Sequence, residues 1–190
     1  MNKAVFLDRD GVINPLVYNL NTKCYESPKV PEDFSVFTYT ARALRLLKDN
    51  GFRNIVVSNQ PDYAKGKATK ENLNLITELL LNWSIENDYL IDEFYYCYHH
   101  PNGIVPEYTC DCKCRKPGTL FVEQAIKKYG LDRLRCIFVG DRKTDIQCAE
   151  KAKLRSVRIL SPHPQDNDIG ENQVCSPNFL KAAEWIVNNI

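Results

Sequence analysis

The chain is most informative first in what it lacks. No apolar run approaches the ~18 residues that a membrane-spanning helix needs. Neither sign of charge dominates: 25 Lys and Arg face 24 Asp and Glu, a formal +1 over 190 residues. That balance gives no electrostatic reason to expect nucleic acid or an anionic membrane as a partner. Internal repeats, low-complexity tracts and linkers are also missing, so the expectation is one domain over 1–190. Nor is there an export signal. The apolar stretch before Asp8, Arg9 and Asp10 is too short, and those charges stand where a cleavage region should lie. A monomer of the reducing cytoplasm, acting on a small molecule, is the expectation.

Against those absences, 44% of the residues are hydrophobic, enough for a sizeable buried core and against disorder. Eight cysteines are many for a reducing compartment. Cys24, Cys136, Cys148 and Cys175 are scattered, whereas Cys97, Cys110, Cys112 and Cys114 crowd into one stretch. In a secreted chain this would suggest disulfides; without an export signal, the cluster reads as metal-binding.

Short β-branched or aromatic runs alternate with helical patterns, which predicts a parallel sheet wrapped by helices. Strands are predicted at Ala4 to Leu7, Ile55 to Val57, Phe94 to Cys97, Ile137 to Val139 and Val157 to Ile159. Helices are predicted at Ala41 to Asn50, Thr69 to Ile85, Leu120 to Tyr129, Ile146 to Ala152 and Ala182 to Val187. The Leu and Trp stripe of the second helix reads as core packing. Pro15 to Pro31 and Ser161 to Pro177 read as loops, with His163 an isolated surface residue.

In open parallel sheets the ligand site lies at the carboxyl ends of the strands. Here those ends carry Asp8 and Asp10, Ser58-Asn59, the Cys97 loop, and Asp141. An Asp-x-Asp pair can be no more than a solvated turn, but this one directly follows a buried strand and precedes Gly11. A carboxylate can attack phosphorus to form an acyl phosphate. A second carboxyl can protonate the departing alkoxide and then activate water. A divalent cation must neutralise the approaching anions. Asp141 beside Asp8 and Asp10 gives an oxygen-rich Mg²⁺ site. Ser58-Asn59, elsewhere a helix cap or turn, here suits phosphoryl oxygens.

Asp8-x-Asp10-Gly11, Ser58, Lys116 and Gly140-Asp141-x-x-x-Asp145 stand in the order of the signatures of the haloacid dehalogenase (HAD) superfamily, which the chain resembles over nearly its whole length. Asp8-Arg9-Asp10-Gly11-Val12-Ile13-Asn14, Ser58-Asn59-Gln60, Cys97-Tyr98-His99-His100-Pro101 and Cys114-Arg115-Lys116-Pro117 narrow the resemblance. They look like the D-glycero-D-manno-heptose 1,7-bisphosphate phosphatase family, related by ancestry to histidinol-phosphate phosphatases. The resemblance implies a Rossmann-like, three-layer α/β HAD fold with a parallel sheet and no large cap. It implies Mg²⁺ for chemistry and Zn²⁺ in a loop at about 97–117. By it, Asp8 is the nucleophile and Asp10 the general acid/base. Asp8, Asp10 through its backbone, and Asp141 hold Mg²⁺; Ser58 and Lys116 steady the phosphoryl group. Arg115 recognises the substrate beside Asn59, and Arg142 stands where the family has another basic residue.

The zinc loop also has a physical argument. Cys97, His99 and a later Cys-x-Cys pair make three thiolates and one imidazole, a closed set suited to structural zinc. Cys110, Cys112 and Cys114 form two overlapping pairs; the family's placement directly before Arg-Lys-Pro selects Cys112 and Cys114. Two departures stand out. The family's small residues, Ile and Arg-Gly after Asn-Gln are replaced by Pro61-Asp62-Tyr63-Ala64-Lys65-Gly66, and the segment from Pro15 to Phe37 is longer than usual. Histidinol phosphate is the alternative substrate, less suited to the basic Arg115, Lys116 and Arg142. A zinc-stabilised binding module with a vestigial site is the reading from another class, opposed by the intact acids.

Overall fold

The computed structural model describes residues 2–160 and 173–190. Alternation along the first strand sets the layers. In β1 (Lys3–Leu7), Ala4 and Phe6 join one apolar cluster while Val5 and Leu7 join the other, and all four are fully buried. A strand that is apolar on both sides has to be covered on both, which is what helices on either face of a parallel sheet provide.

From β1 the chain makes a hairpin of β2 (Val17–Asn19) and β3 (Cys24–Glu26), then α1 (Thr40–Asp49) and β4 (Phe52–Asn59). Next come α2 (Lys70–Glu86), β5 (Glu93–Cys97), α3 (Leu120–Tyr129) and β6 (Ile137–Gly140). The chain continues through α4 (Lys143–Lys151), β7 (Arg155–Ile159), β8 (Cys175–Ser176) and α5 (Phe179–Asn189). Six strands form a parallel sheet in the order β5-β4-β1-β6-β7-β8. Residues of α1 and α5 pack with Val5 and Leu7, and residues of α3 and α4 pack with Ala4 and Phe6. The result is the predicted three-layer, Rossmann-like architecture.

Differences from the sequence reading have local causes. The Pro15 to Pro31 stretch is not simply a loop, because it carries the antiparallel β2–β3 hairpin. Its turn residues hid two three-residue strands held by a Tyr18–Tyr25 ring pair 5.1 Å apart. Helix α4 starts at Lys143, not Ile146, because Asp145 Oδ2 accepts a 3.0 Å hydrogen bond from the Arg142 N–H and fixes a polar first turn. Helix α5 starts at Phe179, where Asn178 accepts from the Lys181 N–H at 3.0 Å. The expected loop from Ser161 lies outside the described residues over 161–172, as does His163; its end carries β8. Among the described residues no helix is long and apolar enough to cross a membrane.

Candidate active site

Strand β1 lies between β4 and β6, so the chain winds outward in opposite directions from its carboxyl end. That reversal opens a crevice at the sheet edge. Asp8 leaves β1 there, with its N–H bonded to Val139 O at 2.9 Å. Ser58 and Asn59 end β4, and Asp141 follows β6. The chain then turns back tightly, the Arg9 carbonyl accepting from the N–H groups of Val12, Ile13 and Asn14. Gly11 sits in that turn at φ +86°, and a Cβ there would stand 2.3 Å from Asp141 Oδ2. Only glycine permits both the backbone angle and the close approach of Asp141.

Asp8 is 5% exposed and its Oδ1 gathers three donors. Ser58 Oγ donates at 2.6 Å, the Arg9 N–H at 2.7 Å, and the Lys116 ammonium lies 2.9 Å away. Lys116 is buried as well. Its Nζ donates to the Val57 carbonyl at 2.8 Å and pairs with Asp145 Oδ1 at 2.7 Å. Burial works against both charges, but Lys116 and the Ser58 hydroxyl hold the Asp8 carboxyl below its ordinary value. Asp145 and Asp8 in turn hold the Lys116 ammonium above its own. Burial and the neighbouring Asp8 push Asp145 up to about 6 despite Lys116.

Asp141 is the unbalanced member. Burial, then the charges of Asp8 and Asp145, push its carboxyl well above the carboxylate range. Its Oδ1 is buried with no hydrogen-bond partner. Asp8, Asp141 and Asp145 each offer an oxygen, all within 4.8 Å of one another. Crowded, buried carboxylate oxygens with an unused lone pair are the donor set of a hard divalent cation. The carboxylate of Asp10 stands outside this group, and Asp145, quoted in the sequence signature without a role, stands inside it.

Asp10 faces elsewhere. Its Oδ1 accepts from Arg9 Nε at 3.1 Å and Asn14 Nδ2 at 3.0 Å, and its Oδ2 from Gln60 Nε2 at 2.7 Å. Gln60 also donates to Ser58 Oγ at 3.1 Å and accepts from Arg9 at 2.8 Å. The sequence alone points to no role for Arg9 or Gln60. Their burial on polar side chains is a feature of the three-dimensional structure.

A cavity of about 390 Å³ opens over these groups, and Asp8, Asp10, Asn59, Arg115, Lys116 and Arg142 all line it. Asn59 is committed to the Lys116 backbone, accepting from its N–H at 2.9 Å and donating to its carbonyl at 3.0 Å. It thereby ties the Lys116 segment to the end of β4.

Beyond Arg115 the second cluster assembles. The Cys114 sulfur lies 3.4 Å from Cys97, 3.3 Å from Cys112 and 3.5 Å from His99 Nδ1, and Cys97 lies 3.6 Å from Cys112. Sulfurs bonded to zinc at about 2.3 Å would stand roughly 3.8 Å apart, so the cluster has about the size of a tetrahedral site. Cys110 is exposed and outside it.

Known proteins resemble the chain over most of its length. A HAD-hydrolase-like family model matches residues 113–180. The chain is 36% identical, over 97% of its length and 96% of the relative's, to a D-glycero-alpha-D-manno-heptose-1,7-bisphosphate 7-phosphatase of Photorhabdus laumondii. It is 31% identical to the beta-anomer enzyme of Escherichia coli K12, covering 98% of this chain and 89% of that one. Among solved structures, the D,D-heptose 1,7-bisphosphate phosphatase of B. bronchiseptica, complexed with magnesium and phosphate, superposes with a TM-score of 0.78. That match covers all of both chains at 21% identity, and so speaks to the fold. With this fold, these acids at its switch point and relatives of this closeness, the chain is a HAD-type phosphoric monoester hydrolase and belongs to the D-glycero-D-manno-heptose-1,7-bisphosphate 7-phosphatase family.

Proposed function

We propose that the enzyme removes the 7-phosphate of D-glycero-D-manno-heptose 1,7-bisphosphate through an aspartyl-phosphate intermediate. One observation carries the chemistry: the buried Asp8 carboxylate is held by Ser58 and Lys116 beside the unpartnered oxygen of Asp141. In this reading an Asp8 oxygen attacks phosphorus while the bond to the sugar oxygen breaks. Asp10 gives that oxygen its proton. Asp10 then takes a proton from water as the water attacks the same phosphorus, releasing phosphate and restoring Asp8. Ser58 and Lys116 bind the phosphoryl oxygens, and Arg115 and Arg142 meet the substrate at the rim.

The donor set of Asp8, Asp141 and Asp145, to which the family resemblance adds the backbone of Asp10, fits Mg²⁺. Bound there, Mg²⁺ supplies positive charge that offsets repulsion between the phosphoryl oxygens and the acids. Cys97, His99, Cys112 and Cys114 fit a structural Zn²⁺ that orders the segment leading into Arg115 and Lys116. The same reading places the enzyme in the reducing cytoplasm, where Cys97, Cys112 and Cys114 stay available to zinc as thiolates.

The substrate assignment is supported by the relatives' names and by the cavity wall, where Lys65, Lys67, Arg115 and Arg142 favour an anionic body over the ammonium of histidinol phosphate. Phosphate release should be measured across heptose 1,7-bisphosphate, other sugar phosphates and histidinol phosphate. The heptose bisphosphate should give the highest kcat/KM; a preference for histidinol phosphate overturns the assignment.

A further inference from the structure

The two stretches in which the chain departs from its family's pattern meet each other in space. Ser27, just after β3, donates from its hydroxyl to Asp62 Oδ2 at 2.7 Å. Asp62 is only 7% exposed, although it is an acid in a loop. Its backbone carbonyl accepts from the N–H groups of Lys67 and Ala68 at 2.8 and 3.2 Å, closing the loop of 61–68 on itself. One step further, the carbonyl of Ala64 accepts from Ile104 and Val105 at 2.6 and 3.2 Å, and the Tyr63 ring meets Tyr108 edge-on at 5.0 Å. The 61–68 loop is therefore bonded to the hairpin on one side and to the cysteine-bearing loop on the other.

The contents of this wall are chemically specific. Tyr25, Glu26 and Ser27 line the catalytic cavity together with Lys65 and Lys67. Glu26 is drawn down to about 2 by its hydrogen bond with Lys29, with burial opposing, and lies 3.8 Å from Lys67. Burial pushes the Lys65 ammonium down, as do Arg115, Lys67 and Arg142, and Asp62 opposes them all. An acid that both anchors the hairpin and supports the charge of Lys65 ties the shape of the wall to its electrostatics.

We propose that Asp62 is a positioning residue for substrate selection. Bonded to Ser27, it locks the hairpin against the 61–68 loop, and the two present Tyr25 and Lys65 to the leaving group, a hydroxyl-rich body carrying a second anion. This rests on the functional reading above and adds to it the residues that hold the leaving-group wall. Ser27 and Asp62 bond to each other and not to Asp8, Asp10 or Asp141, so the wall acts on binding of the leaving group and not on phosphoryl transfer.

The test uses the full chain with Mg²⁺ and two substrates, heptose 1,7-bisphosphate and p-nitrophenyl phosphate, whose leaving group has neither hydroxyls nor a second anion. Ser27→Ala should raise KM for the heptose bisphosphate about tenfold or more, the worth of one hydrogen bond to a charged group, with little change in kcat. Hydrolysis of the aryl ester should stay at the wild-type level. Ser27→Thr, which keeps the hydroxyl, should restore KM. Unchanged KM in Ser27→Ala overturns the proposal, and so does an equal loss on both substrates, which would mark a merely structural contact. If the wild-type enzyme does not prefer the heptose bisphosphate, the functional reading fails. The same ratio, taken on the best sugar phosphate of the panel, then still decides the role of Asp62.

Discussion

Replacing Lys116 with Met tests the electrostatic core of the site, because one buried ammonium serves two buried acids. Its Nζ lies 2.9 Å from Asp8 and 2.7 Å from Asp145, with side-chain exposures of 1%, 8% and 0% for the three residues. Met has nearly the length of Lys and fills the channel, so packing is largely kept while the charge is lost. Breaking a buried ion pair by removing one partner costs about 3–5 kcal/mol, since the remaining charge is left unpaired. Both acids lose the same partner, but the costs do not add, because Asp145 can take up a proton. At about 2–4 °C per kcal/mol for a chain of this size, the metal-free variant should unfold about 6–20 °C below the wild type.

The pH dependence identifies the cause. Lys116 is held above its ordinary value, so its contribution is fully present below about 10.5 and constant across neutral pH. The acids of the variant relax by protonation, so the gap in Tm should narrow from pH 8 to pH 5. Adding Asp145→Asn to the variant should recover part of the loss, as coupled neighbours do. Turnover with Mg²⁺ should fall roughly 10²–10³-fold, the usual effect of removing one contact to developing charge. A Tm within 2 °C of wild type, or a gap that stays constant with pH, would refute the account of Lys116 as the shared counter-charge.

Asp8→Asn should abolish phosphate release while circular dichroism remains native, since an amide cannot form the acyl phosphate; residual turnover in protein shown free of deamidation would exclude covalent catalysis by this residue. Cys114→Ser should lower zinc content and activity and Cys110→Ser neither, as read by metal analysis; the reverse result would give the site to Cys110. In metal-free protein Asp145 is raised to about 6, so its contribution to stability is fully present below the ordinary 3.8 and lost as the pH rises through about 6. The increase in Tm on adding Mg²⁺ should therefore grow from pH 5 to pH 7.5, and an increase that does not grow would remove the carboxylate group as the Mg²⁺ site.

The sheet was legible because apolar runs on buried strands have few alternatives, and Ile137 to Gly140 leads into Asp141 with no intervening turn. The boundaries of α4 and α5 were not, because their first turns are polar and held by Asp145 and Asn178 instead of by core contacts. The β2–β3 hairpin escaped detection for a related reason. With one residue in three exposed in each of its strands and none buried, it carries no period that a pattern can reveal. Asp145 could be read as a helix-capping acid, and it is one. What the sequence could not convey is that its second oxygen faces a lysine 29 positions earlier, a pairing set by the approach of the Lys116 segment to β4.

Asp8 and Asp10 are alike in chemistry and two residues apart, and the fold gives them different neighbours. Asp8 faces the crevice, where Lys116, Ser58 and the acids converge. Asp10 turns back toward Arg9, whose guanidinium is fully buried between the rings of Phe34 and Tyr96, 6.0 and 5.7 Å away. Phe34 comes from the segment between β3 and α1 and Tyr96 from β5, so the orientation of Asp10 depends on packing at both flanks of the site. Gln60 completes the link by donating to Asp10 and to the Ser58 hydroxyl that itself donates to Asp8. A proton-transferring role for Asp10 is therefore exercised from a carboxylate that Arg9, Asn14 and Gln60 hold at the cavity wall. Asp8 stays fixed by Ser58 and Lys116.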